Sequence, residues 1–358
     1  MSSPERILVV MPNWFGEVLF ATPFLRMLHA ARPNSCISAL GVLRGEEVLA
    51  NNPDVDEFIV FDEAGLHRTF SGKRALTHVL RSRRFDTAFI LRKSLTRTFL
   101  LMLAGIPRRI GFDNPKSGWL LTERVKAPPE STHKAHAYLQ LLHGPLGIPI
   151  APPPSYGYYV TDQERAEVRR LLRERGVGEG GSFVVLHPGG NWPHKRWPPE
   201  RFAELAKRLA QQRHEIVVMT GGPEDEPWVA PIMQQMDPSP VLLVGKTTLR
   251  QLAACLEQAR LVVSNDTGVL HIACALKRPV VALYGPTSPA ITGPLGDPAS
   301  TVVIHHPDCC PRIPCLNPRH PGSPGMASIT VDEVFAAACQ MLDPSVRSSK
   351  REVRSEPP

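Results

Sequence analysis

Short apolar runs alternate with stretches whose apolar residues recur every three or four positions along almost the whole chain. In the first half the runs are RILVVM, CISALGV, EFIVF, DTAFIL and RRIGF; EVLFATPFLRMLHAA and SLTRTFLLMLAG carry the longer, helical period. The runs show no clean alternation of polar and apolar residues, which is how strands buried on both faces read. LGIPIAPPPSYG, at 146–157, interrupts the pattern. Consecutive prolines continue neither a helix nor a central strand, so this segment reads as a linker. Beyond it SFVVLHPGG, PPERFAELAKRLAQQ, EIVVMTGG, PVLLVG, TLRQLAACLEQA, RLVVSNDTG, VLHIACAL and PVVALYGP resume the alternation.

Repeated βα units predict a parallel sheet with right-handed crossovers and helices on both faces. The pattern therefore predicts an α/β protein of two parallel-sheet domains, 1–150 and 151–330, then a helix over 331–343. The polar, charged tail at 344–358 has too few large apolar groups to join a core and is expected to be disordered. Two such domains should leave a cleft between the carboxyl ends of their strands, where open α/β sheets bind ligands.

A chain of 358 residues suits two cores better than one. The formal charge of +7 favours acidic partners, such as nucleic acid, an anionic membrane surface or phosphorylated substrates. No helix-turn-helix, zinc-finger or aromatic stacking motif accompanies it, so nucleic acid is not expected. The opening MSSPERILVV has no signal-peptide pattern, and no uncharged run approaches the ~20 residues that span a bilayer. A cytoplasmic protein with at most peripheral membrane contact is expected. Cys36, Cys255, Cys274 and Cys339 sit in apolar stretches and read as buried, inert thiols.

Two glycine motifs fail on context. GVGEGG, at 176–181, has the dinucleotide spacing, but it ends a helix and precedes a strand, the reverse of what a pyrophosphate loop needs. GKTT, at 245–248, resembles the end of a phosphate-cradling loop, yet Pro240 stands where the earlier glycine belongs.

Two others keep their context. In VVSNDTGVLHIACAL a strand ends at Ser264, the chain turns through Asn265, Asp266, Thr267 and Gly268, and a helix begins. Free N–H groups and the helix dipole attract an anion there, Gly268 allows close approach, and His271 lies one turn in. The alternative is that Asp266 or Thr267 merely caps the helix. In LHPGGNWPHKRWP a strand ends near His187, and Gly189, Gly190, Lys195 and Arg196 follow. The glycines suit close backbone approach and Lys195 offers a point charge for phosphate, unless Lys195 and Arg196 are a solvated pair. Both loops leave strands of one domain and could converge on a single diphosphate.

Near the N-terminus, VVMPNWFGEVLFATP hands a strand over to a helix with one acid, Glu17. The helix N-terminus favours its ionised form, which suits a general base; the alternative is that it only offsets the dipole. Arg92, Lys93 and Arg97 follow another first-domain strand in LRKSLTRT, where they could hold an anionic acceptor or simply be a solvated helix start.

As a set, MPNWFGEVLFATPFLRML, PGGNWPHKRWP, VSNDTG, HIACAL and PVVALYGPTSP resemble the lipopolysaccharide heptosyltransferases of glycosyltransferase family 9, in the family's order along nearly the whole chain. The MPNW start and KRWP loop are most similar to the branch acting second in inner-core assembly. The resemblance implies a GT-B fold of two facing Rossmann-like domains, with the C-terminal helix crossing back to the first. It implies inverting transfer of L-glycero-D-manno-heptose from ADP-heptose to the anionic lipopolysaccharide inner core, without metal or other cofactor, at the cytoplasmic face of the inner membrane. On the family pattern Lys195, Thr267 and Gly268 hold the diphosphate and Asp266 contacts the donor sugar; Gly189, Gly190 and His271 join the donor side by their places in the two loops. Asn13, Arg92, Lys93 and Arg97 are assigned to the acceptor side. Glu17 stands where the family has aspartate, its proposed base. The longer side chain moves the carboxylate by more than ~1 Å, which can cost roughly 100-fold in rate unless the local backbone compensates; the intact diphosphate motifs favour compensation.

The late loop carries His305, His306, Cys309, Cys310, Cys315 and His320 but no paired C-x-x-C spacing, so it reads as a structural or acceptor-side loop rather than a zinc site. Three other activities fit the same residues. They are a transferase using another nucleotide sugar, a catalytically silent sugar-nucleotide-binding or assembly protein, and a nucleotide-sugar epimerase needing no acceptor.

Overall fold

The computed structural model describes residues 4–150, 155–236, 239–307, 313 and 324–343. The chain divides into two compact units between Tyr159 and Val160. This is nine residues beyond the expected boundary, because the segment after the prolines stays with the first unit. There the Gly157 N–H donates to Thr22 Oγ1 at 2.9 Å, and the Tyr156 ring lies 5.6 Å from that of Phe20.

The first unit runs β1 (Arg6–Val10), α1 (Phe15–Ala31), β2 (Cys36–Gly41), α2 (Leu43–Leu49), β3 (Glu57–Val60), α3 (Phe70–Ser82), β4 (Thr87–Ile90), α4 (Leu95–Leu103), β5 (Arg108–Phe112), β6 (Glu123–Val125) and α5 (Lys134–Leu146). Its six strands, all parallel, lie in the order β3-β2-β1-β4-β5-β6. The central strands are apolar on both sides because both faces are covered. Leu8, Val10, Ala88 and Ile90 pack under α3 and α4 with Leu76, Leu80, Leu100 and Leu101.

The second unit runs α6 (Asp162–Arg173), β7 (Phe183–His187), α7 (Pro199–Arg213), β8 (Ile216–Met219), α8 (Glu226–Gln234), β9 (Val241–Leu242), α9 (Leu249–Gln258), β10 (Leu261–Asn265), α10 (Gly268–Ala275), β11 (Val280–Tyr284), α11 (Pro289–Thr292), β12 (Thr301–His305), α12 (Pro324–Ser328) and α13 (Val331–Leu342). Its parallel sheet is ordered β12-β11-β10-β7-β8-β9. Counted from each unit's first strand, the two sheets share one topology. Each has its switch point between the first strand and the fourth, at β1/β4 and β7/β10, where open sheets receive ligands.

The GVGEGG segment is the helix-ending loop expected, with Gly176 and Gly180 at positive φ between α6 and β7. GKTT is a turn, and Thr248 caps α9 in a reciprocal capping box with Gln251. The terminal helix has a clear place in the second unit. The apolar positions Val334, Ala338, Met341 and Leu342 of α13 are buried in the second unit's own core, against α7 and the β10–β12 strands. These contacts place it in the second unit. The tail at 344–358 lies outside the described residues.

Candidate functional site

The second unit's switch point is built around Asn265, the last residue of β10. Its side-chain amide donates to the carbonyls of Pro188 and Gly189 at 2.9 and 3.2 Å, and its Oδ1 accepts the Trp197 N–H at 3.1 Å. One buried side chain thus fixes both ends of the loop after β7 against the end of β10. Trp197 is wholly buried and its indole N–H donates to the Ile329 carbonyl, anchoring the far end.

This frame brings Lys195 to Asp266. Lys195 Nζ lies 2.6 Å from Asp266 Oδ2, and the Thr287 hydroxyl donates to the same oxygen at 2.6 Å. The Asp266 carboxylate is buried, with His271 Nε2 4.0 Å from its other oxygen. Thr267 stands at the N-cap of α10, but its side chain makes no capping hydrogen bond. The capping alternative for Thr267 is therefore not what is built. Its hydroxyl pairs instead with Ser264 Oγ at 3.3 Å. The first backbone N–H groups of α10 have no acceptor within the helix, and the Lys195 ammonium is held by Asp266, two residues before that helix.

The glycines have separate duties. Gly190 has φ +152°, disfavoured for any side chain, and a Cβ there would meet Thr267 Cγ2 at 3.2 Å. A Cβ on Gly189 would fall 2.2 Å from Asp225 Oδ2. Asp225 is a buried hub. It pairs with Arg196 at 3.2 Å and accepts the N–H groups of Gly190 and Gly222 at 3.4 and 3.0 Å. Arg196 also donates to the Gly190 carbonyl and lies over the Trp228 ring, so it is no solvated partner of Lys195 but a brace for the loop. Beneath the loop, His187 Nδ1 lies 3.1 Å from Thr220 Oγ1. Burial pushes the imidazole pKa down to about 4, against the opposing pull of Asp225.

In the first unit Glu17 occupies the first turn of α1, after Trp14, which is 58% exposed. Its Oε1 forms an ion pair with Lys134 Nζ, the first residue of α5. Both side chains reach solvent. One turn further along α5, burial and the Glu17 charge together hold the Tyr138 hydroxyl neutral, with its pKa raised.

Arg97 is not on the surface. Its side chain is fully buried, donating to the Met11 carbonyl at 2.9 Å and to Asn13 Oδ1 at 2.6 Å, with Glu63 Oε2 3.2 Å away. The guanidinium also lies 5.1 Å from the Phe61 ring centre. Asn13 donates to Glu63 at 3.2 Å, so its amide is engaged at both ends. Desolvation pushes the Glu63 pKa up, but Arg97 and Asn13 more than offset it and the net shift is down. Arg97 and Asn13, read as acceptor-side residues, thus bond to each other and to Glu63 within the first unit. A guanidinium taken out of water needs this many acceptors, and meeting that need ties the β1 loop to α4. Arg92 is half-buried and Lys93 exposed, both just before α4.

The residues that sequence reasoning missed are Lys134, Glu63, Asp225 and Thr287. Lys134 carried one signal, a cation at a helix N-terminus where the dipole disfavours it. Thr287 lay within PVVALYGPTSP but had no local pattern to mark it. Cys255 and Cys274 are buried, and desolvation pushes their thiols up to about 12, as inert thiols require. Cys36 and Cys339 are only partly buried. Cys309, Cys310, Cys315 and His320 lie outside the described residues. Among the described residues, no helix is long and apolar enough to cross a membrane.

Against known proteins, the family model described as glycosyltransferase family 9 (heptosyltransferase) matches residues 73–318. Lipopolysaccharide heptosyltransferase 2 of Escherichia coli K12 is 28% identical over 304 residues, which is 83% of this chain and 87% of that protein. A family 9 glycosyltransferase structure from Veillonella parvula superposes with a TM-score of 0.85 at 26% identity, covering 96% of this chain and 98% of that one. The structure of E. coli ADP-heptose LPS heptosyltransferase II gives a TM-score of 0.79 at 26% identity, covering 94% and 98%. With two Rossmann-like units of matching topology, the fold is the GT-B class. The chain belongs to glycosyltransferase family 9, the heptosyltransferases, and is a glycosyltransferase.

Proposed function

We propose that this protein transfers L-glycero-D-manno-heptose from ADP-heptose to the anionic inner core of lipopolysaccharide, with inversion and without a metal. One observation carries the reading: the uncapped N-terminus of α10 beside the Lys195–Asp266–Thr287 cluster. Helix-start N–H groups and an ammonium together suit a diphosphate. The names of the relatives supply the sugar and the acceptor, since E. coli heptosyltransferase II is described as acting with ADP-heptose on LPS.

In the proposed reaction an acceptor hydroxyl forms a bond to the anomeric carbon as the bond to the diphosphate oxygen breaks. The electron pair leaves with ADP, and the hydroxyl proton goes to Glu17. Lys195 and the α10 N–H groups stabilise the charge gathering on the leaving diphosphate. Asp266 orients Lys195 and faces the donor sugar, with His271 behind it and Gly189 and Gly190 keeping the approach open. Arg92 and Lys93 attract the acceptor's carboxylates and phosphates. The reading puts the reaction at the cytoplasmic face of the inner membrane. For Glu17 to take a proton, Lys134 must release it or share it.

That ion pair also favours a second reading, a sugar-nucleotide binder that performs no transfer. ADP release from ADP-heptose, measured with and without inner-core acceptor and repeated with EDTA and with UDP-hexoses, separates the two. Acceptor-dependent, EDTA-insensitive release from ADP-heptose supports the transferase. Binding without turnover supports the silent binder, and acceptor-independent conversion of the donor supports an epimerase.

A further inference from the structure

Glu17 and Lys134 come from two helices that do not need them paired. The start of α1 already favours a carboxylate, and the start of α5 disfavours an ammonium. Yet Lys134, the first residue of α5, sets its Nζ on Glu17 Oε1 from 117 residues along the chain. Nor is the pair needed to join the helices. α1 and α5 pack directly on each other, with the Phe20 ring edge-on to that of His133 at 5.5 Å.

Among the described residues, the Glu17 carboxylate and the Lys134 ammonium are each other's only hydrogen-bond and ion-pair partner. The remaining titratable side chains around them supply no rival anion. His133 caps α5 by accepting the Ala135 N–H, the His136 ring lies 6.1 Å from that of His133, and burial keeps the Tyr138 hydroxyl protonated. The cation of the second unit is held differently. There Lys195 pairs with a carboxylate that keeps 5% of its exposure and has a second donor in Thr287. The Glu17 and Lys134 side chains keep 26% and 37%. An ion pair this open to water is worth little, so an incoming anion can take the ammonium at small cost. The acceptor of the transferase reading is such an anion. It must bring a hydroxyl to Glu17, and its own charge arrives with it.

We propose that the acceptor releases its own base. A carboxylate or phosphate of the acceptor draws the Lys134 ammonium off Glu17, and the freed carboxylate takes the hydroxyl proton. Lys134 then stays on the acceptor as a positioning contact. Without acceptor, Glu17 Oε1 stays engaged and attack by water is held back. That attack would form a bond from water to the anomeric carbon, break the bond to the diphosphate oxygen, release ADP and free heptose, and pass a proton to Glu17. The proposal rests on the transferase reading.

The test is ADP release by wild type, Lys134→Ala and Lys134→Arg, without acceptor and with a deacylated inner-core oligosaccharide in intact, dephosphorylated and carboxyl-reduced forms. Lys134→Ala should raise the acceptor KM roughly tenfold or more, the scale for one charged hydrogen bond, and should raise acceptor-independent hydrolysis several-fold. Lys134→Arg should bring both back toward wild type. In wild type, one of the two stripped acceptors should show the same rise in KM, and Lys134→Ala should be indifferent to that change. Which acceptor it is tells phosphate from carboxylate. Thermal unfolding should stay close to wild type, because the pair is open to water. Unchanged KM and hydrolysis in Lys134→Ala, or a fall in kcat alone, would overturn the proposal while wild-type transfer upholds the transferase reading. So would equal sensitivity of wild type and Lys134→Ala to both stripped acceptors. Wild type with no acceptor-dependent release would overturn both.

Discussion

The two sheets have the same strand order, and their switch points carry opposite electrostatic designs. At β1/β4 the cation is inside: Arg97 is buried and spends its donors on the Met11 carbonyl, Asn13 and Glu63. At β7/β10 the anion is inside. Asp266 is buried, and the cation that pairs with it, Lys195, reaches the solvent side beside an uncapped helix. One topology thus gives a closed, self-satisfied polar network in the first unit and an uncapped helix start beside a cation in the second. The strand order sets where a site can be. Which sign of charge is buried decides whether the loop braces itself or offers donors to a ligand.

Changes at the two switch points should therefore fail differently. The largest effect is expected for Arg97→Leu, which leaves Glu63, Asn13 and the Met11 carbonyl without their shared donor. Leaving the buried Met11 carbonyl and the Asn13 amide without this donor should cost roughly 1–3 kcal/mol of stability, read as a drop in the denaturant midpoint. Wild-type stability in this variant would mean that the network contributes nothing to folding. At the other switch point, Lys195→Ala leaves the buried Asp266 carboxylate with Thr287 as its donor, so the chain should still fold with some loss of stability, and turnover should fall by roughly 10²–10³-fold, the scale for losing one preorganised group at a developing charge. Unfolding together with loss of activity would show that Lys195 is also a structural brace. The comparison is sharpened by pH. His187 stays neutral in the fold down to about 4, whereas a free imidazole takes up its proton near pH 6.5. The unfolded chain binds the extra proton between these values, so stability is full above about pH 6.5 and falls as pH drops toward 4. The loss should be at most roughly 3 kcal/mol, and His187→Asn, which can keep a contact to Thr220, should flatten that part of the pH profile.

Most of the fold was legible because its strands are buried on both faces and read as unbroken apolar runs. The edges were not. Strand β6 is three half-polar residues, β12 is only partly buried, and β9 keeps just Val241 and Leu242 of the longer PVLLVG run. The second unit's site was legible because its chemistry sits in two contiguous motifs, LHPGGNWPHKRWP and SNDTG. Their partners were hidden by distance along the chain. Asp225 reaches Arg196 from 29 residues away, and Lys134 reaches Glu17 from 117. Arg97 was misread for the same reason. A cation at a helix start looks solvated until Glu63, from another loop, takes it into the core.

The measurement that tests the account most directly is acceptor-dependent ADP release by wild type, Glu17→Gln and Glu17→Asp, alongside each protein's affinity for ADP. If Glu17 is the base and the second unit holds the donor, the Gln variant should lose roughly 10²–10⁴-fold in turnover with its ADP affinity unchanged, and the Asp variant should retain activity. Full turnover by Glu17→Gln would contradict the account and leave the carboxylate only its ion pair with Lys134.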